Sequence, residues 1–273
     1  MSDISLIGLG VGLLLMIIPL FYFHRYRTGL VHSTMSAVIR MIAQLYLVGL
    51  YLQYLFEYNI WYVNLAWGLI MVAVATGTAL QRTHLRPHVV VMPLGVALLV
   101  TAFVISLYFL GLVLGLDHAA GHAQAFHAER FTELFTARYF IPIFGLLLGN
   151  MLGVNIIALN TYYDGLKREQ QLYFYLLGNG ATHREATAPL IRQAMIKAFN
   201  PAIANMAVMG LVAMPGTMIG QILGGSDPSL AIKYQMMIAV ITFVASLLSL
   251  VITISLSRSR SFDAFGRLKE IYK

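Results

Sequence analysis

The sequence predicts an all-α integral membrane protein of about seven transmembrane helices, N-terminus outside and C-terminus inside, with a cytoplasmic helix–turn–helix element. Three observations predict it. Of the 273 residues, 59% are hydrophobic and 11% charged, with a mean hydropathy of +0.77, whereas soluble domains carry about 25% charged residues. The apolar residues gather into runs of the roughly 20 residues that a helix needs to cross the hydrocarbon core. Lys and Arg concentrate in alternate connections between those runs, which is the pattern that fixes orientation.

The runs give seven spans in order. They extend from about Ile4 to Phe23, Ala37 to Leu55, Ile60 to Leu80, Val89 to Leu114, Tyr139 to Leu159, Pro201 to Leu223 and Leu230 to Leu256. Met1-Ser2-Asp3 carries no basic region and no small-residue cleavage site follows, so the first run reads as a retained span rather than a signal peptide. Arg25 and Arg27 follow the first span, and Arg82 and Arg86 the third. Lys167, Arg168, Arg184, Arg192 and Lys197 follow the fifth, and Arg258, Arg260, Arg267, Lys269 and Lys273 the last. The other connections hold Glu57, then Arg130 and Arg138 in the 117–138 segment, then the Gly224–Ser229 stretch. Positive residues mark the cytoplasmic side, so the tail is inside. Tyr51, Tyr54, Trp61 and Tyr62 cluster at the outer ends of spans two and three, as an interfacial belt does.

Residues 161–200 exceed what a connector needs. Asp164 to Leu177 reads as a helix, with Gly178-Asn179-Gly180 as a left-handed stop. Thr182 and Glu185 have capping-box spacing. Leu190, Ile191, Ala194, Met195, Ala198 and Phe199 form a one-sided stripe, with Arg192 and Lys197 opposite. The element serves either as a docking surface or as a helix lying in the headgroups; the pattern by itself favours neither.

The net charge of +7 lies in loops flanking apolar runs rather than in a basic stripe, so no nucleic-acid partner is expected. Cysteine is absent, which excludes disulfides and thiolate metal sites. No phosphate-cradling Gly-x-x-x-x-Gly-Lys-Ser/Thr, no His-Glu-x-x-His and no Gly-x-Ser-x-Gly occurs. The whole chain, 1–273, is expected to be one transmembrane domain, not an enzyme.

Several features point to packing or to a transport path. Gly145, Gly149 and Gly153, and Gly216, Gly220 and Gly224, repeat every fourth position, a spacing that lets helix backbones approach in lipid. The partner helix lies in this chain or in a second copy. Met214-Pro215-Gly216 interrupts the sixth span, either as a break at a transport site or as a structural kink. Arg40 and Gln44 share a face of the second span, and Asn150 and Asn155 lie within the fifth; polar groups at membrane depth face protein or a water-filled path. Arg40 is shallow enough to snorkel. Met206, Met209, Met214, Met218, Met236 and Met237 offer thioethers to a soft metal, or simply fill gaps. His118, His122 and His127 in the outer segment are a further metal-ligand candidate, weakened by Gly121.

These residues resemble the FetB-type permeases, described as iron exporters with plant relatives linked to aluminium tolerance. The likeness rests on Arg40-x-x-x-Gln44-Leu45-x-x-Val48-Gly49, Ile141-Pro142-Ile143, Gly149-Asn150-Met151, and Leu177-Gly178-Asn179-Gly180-Ala181-Thr182, the last departing from the family's run around Asn179. Its strongest block is Gly210 to Thr217 with Met218 and Gly220, followed by Asp227-Pro228 and Ala231-Ile232-Lys233-Tyr234-Gln235. It covers nearly the whole chain and is weakest over residues 81–138. The resemblance implies an ABC-type permease in the cell membrane (the inner membrane of a Gram-negative source), dimeric and served by a separate ATPase that binds ATP and Mg. It makes Leu177, Gly178, Gly180, Ala181, Thr182 and Glu185 the coupling element, and adds Tyr234 and Gln235 to the transport path of Arg40, Gln44, Asn150, Asn155, Met214, Pro215 and Gly216. Iron as cargo and export as direction rest on it alone. The competing readings are an ABC permease for a non-metal solute and a self-sufficient ion-coupled transporter; the latter usually needs membrane-embedded Asp, Glu or His, which the spans lack.

Overall fold

The computed structural model describes residues 6–83, 85–119, 135–263 and 267–269. Every named element is an α-helix, and among the described residues no strand forms. The chain divides into two compact units, Met1–Asn59 and Ile60–Lys273.

The first unit holds α1 (Leu6–Leu14), α2 (Ile17–Arg25) and α3 (Leu30–Tyr58). The expected first span is interrupted at Leu15-Met16, where Leu15 N–H bonds Gly12 O at 3.3 Å in a tightened turn. Gly8–Arg25 is still long and apolar enough to cross a membrane. α3 outruns its expected limits at both ends and stops at Asn59, which adopts a left-handed φ of 41°.

The second unit holds α4 (Trp61–Thr83), α5 (Pro87–Ala119), α6 (Ala137–Arg168), α7 (Gln170–Gly178), α8 (His183–Val208), α9 (Gly216–Leu223) and α10 (Pro228–Ser261). α6 is its centre. Phe140, Phe144, Leu147, Met151, Leu159, Tyr162 and Tyr163 on α6 are all buried, which is why this helix contacts α4, α5, α8 and α10. Burying apolar side chains against protein rather than lipid gains little hydrophobic energy, so close fit and interhelical hydrogen bonds hold the bundle.

Those bonds fix relative directions. Asn64 Nδ2 donates to Phe135 O at 2.8 Å and Asn160 Nδ2 to Arg82 O at 3.4 Å, so α4 and α6 run parallel. Asn155 Nδ2 donates to Ser249 Oγ at 2.9 Å, and Tyr163 meets Ser257 and Ser261, so α6 and α10 are also parallel. Ser257 Oγ donates to Val89 O at 3.1 Å, setting the end of α10 against the start of α5. α8 runs opposite to α6: Leu190 abuts Gly165, while Met206 shares a cavity wall with Asn150.

Six helical stretches are long and apolar enough to cross a membrane, among the described residues. The expected sixth span, 201–223, is the exception. The expected cytoplasmic stripe helix and the first part of that span are one helix, α8, with Pro189 and Pro201 inside it. It ends at Val208, the chain turns through 209–215 with Gly210 at φ 91°, and α9 is only eight residues long. Pro215 therefore does not kink a span; it caps α9 from an extended conformation (φ −63°, ψ 142°). Proline cannot donate the bond a continuous helix would need, and it pushes Met214 out of the helical region. The expected helix from Asp164 also differs. α6 continues through Asp164 to Arg168, the chain bends at Glu169 (φ −102°, ψ 25°), and α7 starts at Gln170.

Candidate functional site

A cavity of about 440 Å³ lies between α6, α8, α9 and α10, in the half of the unit away from the 178–182 turn. Its polar wall comes from Asn150 on α6, Asn205 on α8, Thr217 on α9, and Gln235, Thr242 and Ser246 on α10. Met206, Met209, Pro215 and Gly216 complete the end formed by the helix break. Among the described residues, no charged side chain lines it. Thr217 Oγ1 donates to Gln235 Oε1 at 2.6 Å, and the Gln235 amide N–H reaches Met209 Sδ at 3.9 Å. The break thus brings α9 and α10 to the cavity through one short polar chain. Asn150 Nδ2 donates to Leu146 O at 2.8 Å, which leaves its amide oxygen as the acceptor on the cavity wall. Amide oxygens, hydroxyls and thioethers can meet a cation without a formal negative charge, or a neutral solute. Among the described residues no group of three or more His, Asp or Glu side chains is placed to hold a metal.

The expected path residues divide. Asn150, Pro215, Gly216 and Gln235 come together on the cavity wall. Asn155 is fully buried away from it, clamped between Met151 O and Ser249 Oγ. Met214 is exposed, and half-buried Tyr234 does not line the cavity. Arg40 and Gln44 are exposed on α3 in the first unit. Of the soft-metal candidates, Met206 and Met209 reach the cavity, Met218 is buried, and Met236 is exposed. His122 and His127 lie outside the described residues. Sequence reading missed Asn205, Thr217, Thr242 and Ser246, which only the folding of three separate segments brings to one wall.

The glycine stripes are used unevenly. A Cβ on Gly145 would come within 2.8 Å of Met71 Cε, so α4 and α6 do approach closely there. Gly149, Gly153, Gly216 and Gly220 meet nothing within 4 Å, and Gly224 meets only the backbone of its own turn. Gly68 against Phe140 and Phe144, and Gly165 against Leu190, are close contacts that the four-residue spacing did not reveal.

The second feature is the turn between α7 and α8. Gly180 is left-handed at φ 89°; its N–H bonds Leu177 O at 3.0 Å and the Ala181 N–H bonds Leu176 O at 3.0 Å, a Schellman ending. Thr182 then caps α8: its Oγ1 accepts from Glu185 N at 3.3 Å, and Glu185 Oε2 accepts from Thr182 N at 2.8 Å. The bond from the Thr182 backbone, and then the one that the Thr182 hydroxyl donates to Glu185 Oε2 at 2.8 Å, hold the Glu185 carboxyl below its usual range. Gly178, Gly180, Thr182 and Glu185 are exposed, and Leu177 and Ala181 half-buried. Behind the turn, Tyr173 Oη and His183 Nδ1 are 2.9 Å apart, and the His183 and Phe262 rings meet edge-on at 4.3 Å. Burial, and then the charge of Arg258, push the His183 pKa down. The turn is therefore braced by the segment following α10, a link that no local pattern shows.

A family described as uncharacterised protein family UPF0014 matches residues 6–262. The chain is 31% identical over 205 residues to "Protein ALUMINUM SENSITIVE 3" of Arabidopsis thaliana, covering 74% of this chain and 67% of that protein. It is 30% identical over 232 residues to "UPF0014 membrane protein STAR2" of Oryza sativa subsp. japonica, covering 83% and 73%. It is 28% identical over 261 residues to "Probable iron export permease protein FetB" of Escherichia coli, covering 96% and 93%. No solved structure matches.

Proposed function

The chain belongs to the UPF0014 family, and on that premise we propose that it is the permease subunit of an ABC-type transporter exporting iron or another metal ion. The relative in Escherichia coli carries the words iron export permease in its name, and the match spans almost the full length of both chains. The observation that carries the reading is the cavity closed by a broken helix, with its neutral oxygen and thioether donors. A site that must release its cargo gains from donors that hold a cation weakly, and irregular backbone in a membrane belongs where it lines a cavity. Among the described residues the cavity wall holds amides, hydroxyls and thioethers rather than carboxylate or imidazole, which favours this reading over the ion-coupled alternative.

The directions of the helices support seven crossings. α6 and α10 are parallel, so the chain between them must return across the membrane, and α8 is the element with the length to do so. Its 26 residues span about 39 Å. Its polar first turns keep it out of the hydropathy-defined set. With the Lys/Arg bias, this supports an orientation that has the α7–α8 turn and the end of α10 in the cytoplasm and the 209–227 segment outside. The turn would then dock on an ATPase that supplies ATP and Mg, and the open glycine faces would meet a second copy of the chain.

The test is labelled iron moved by sealed vesicles that contain this chain and its ATPase. ATP-dependent movement of iron is expected, and Gly180→Trp is expected to abolish both the movement and stimulation of the ATPase while leaving the chain inserted. Transport that runs without any ATPase, or a Gly180→Trp protein that still couples, overturns the reading.

A further inference from the structure

We propose that the outward face of α8 holds an anionic phospholipid, with its headgroup between Arg184 and Arg192 and an acyl chain along Ile191, Met195 and Ile196. These residues, with Ala188 between them, line one shallow groove. Their steps of three and four residues place them on a single helix face. The two arginines are eight positions apart, about 12 Å along the axis, and their long side chains can converge on one phosphodiester from either side. Both are exposed, and neither guanidinium has a hydrogen bond or ion pair among the described residues. Small Ala188 keeps the space between them open.

The height of the groove selects a lipid. Leu190 abuts Gly165, one turn from Tyr162 and Tyr163. Tyr163 meets Ser257 and Ser261, which flank Arg258, and Asn160 reaches the carbonyl of Arg82. The backbones of Arg82, Arg192 and Arg258 therefore lie at similar levels around the unit, and Arg184 lies two turns further toward the α7–α8 turn. Arginines at similar backbone levels, with exposed Ile196 and Ile203 continuing along α8 on the other side, match the boundary between headgroups and acyl chains. Basic side chains there attract anionic lipid. A free phosphate ion would use the arginines but gain nothing from Ile191, Met195 and Ile196, so the apolar half of the groove points to a lipid. This inference does not depend on what is transported.

The test uses the purified full-length chain in nanodiscs that contain phosphatidylglycerol and phosphatidylcholine. Retained lipid is counted by native mass spectrometry. Preferential retention of phosphatidylglycerol is expected, reduced about fivefold by Arg184→Gln or Arg192→Gln alone, and restored by the corresponding Lys substitutions. On the wild type, a phosphatidylglycerol analogue with a photoreactive acyl chain should label the peptide spanning 184–196, and the phosphatidylcholine analogue should not. That measurement decides the matter even if the glutamine variants fail to insert. Equal retention of the two lipids, labelling elsewhere, or release of phosphatidylglycerol by inorganic phosphate overturns the proposal. So does a double variant that keeps its lipid preference but loses a co-purifying protein, which would make the face a protein dock.

Discussion

Thr182 is the residue whose role follows most directly from its neighbours. Its hydroxyl satisfies a donor of α8 that has no partner within the helix, and the Glu185 carboxylate satisfies the Thr182 backbone in return. Thr182→Ala should cost the start of α8 about 1 kcal/mol, measurable as faster amide hydrogen exchange over residues 182–187 with the rest of α8 unchanged. His183 adds a pH dependence. Its pKa is lowered from the ordinary 6.5 by burial and by Arg258, so the folded turn prefers the neutral ring. Stability from this group is complete above pH 6.5 and is lost as the pH falls through the lower folded-state value, because the unfolded chain takes up the proton first. Protection of the turn, taken after correction for the intrinsic pH dependence of amide exchange, should therefore fall as the pH drops below 6.5, and His183→Gln should flatten that response. An unchanged profile in the variant would place the sensitivity in another group. Both ends of the capping box were readable in the sequence, since a cap is a contact between residues three apart. The Tyr173–His183–Phe262 cluster was not, since it joins segments about 80 residues apart in the chain.

At the scale of elements, the break at 209–215 does more than bend a helix. It lets α9 present Thr217 to Gln235 on α10. Thr217→Val leaves the buried Gln235 amide oxygen without its donor, at a cost of about 1–3 kcal/mol. Replacing both, Thr217→Val with Gln235→Leu, removes the orphaned group and should restore thermal stability while transport stays impaired, because two cavity donors are gone. Recovery of transport along with stability would reduce the pair to a structural tie between α9 and α10. Met214-Pro215-Gly216 marked the break in the sequence, but not its extent. Proline announces that a hydrogen bond is missing, and whether the chain kinks or turns away depends on what the freed segment can then contact.

For the whole molecule, the parallel run of α4, α6 and α10 against α5 and α8 makes sidedness testable. Cysteines introduced in turn at Ser226 and Lys269, both exposed, should differ: the first reacts with an impermeant thiol reagent in intact cells, and the second only after the membrane is opened. Ser261 is unsuitable, being fully buried against Tyr163. The reverse labelling would invert the orientation and place the α7–α8 turn outside, beyond reach of a cytoplasmic ATPase.

Hydropathy, charge bias and capping are local free energies, so the sequence by itself determined that this chain is a multi-pass α-helical membrane protein. It also located five of the seven expected spans as continuous helices and wrote out the α7–α8 turn almost residue by residue. The tertiary structure decided which polar residues act together. Asn150 and Asn155 look alike in the sequence, yet one faces a cavity and the other ties α6 to α10, because five positions along a helix turn a side chain to a different neighbour. It decided likewise that α8 is a single helix despite two prolines, and that Gly68 and Gly165 rather than most of the periodic glycines admit a close neighbour. The reason is the same in each case. Lipid satisfies apolar side chains on every face of a helix, so the choice of buried face falls to shape and to hydrogen bonds between distant segments.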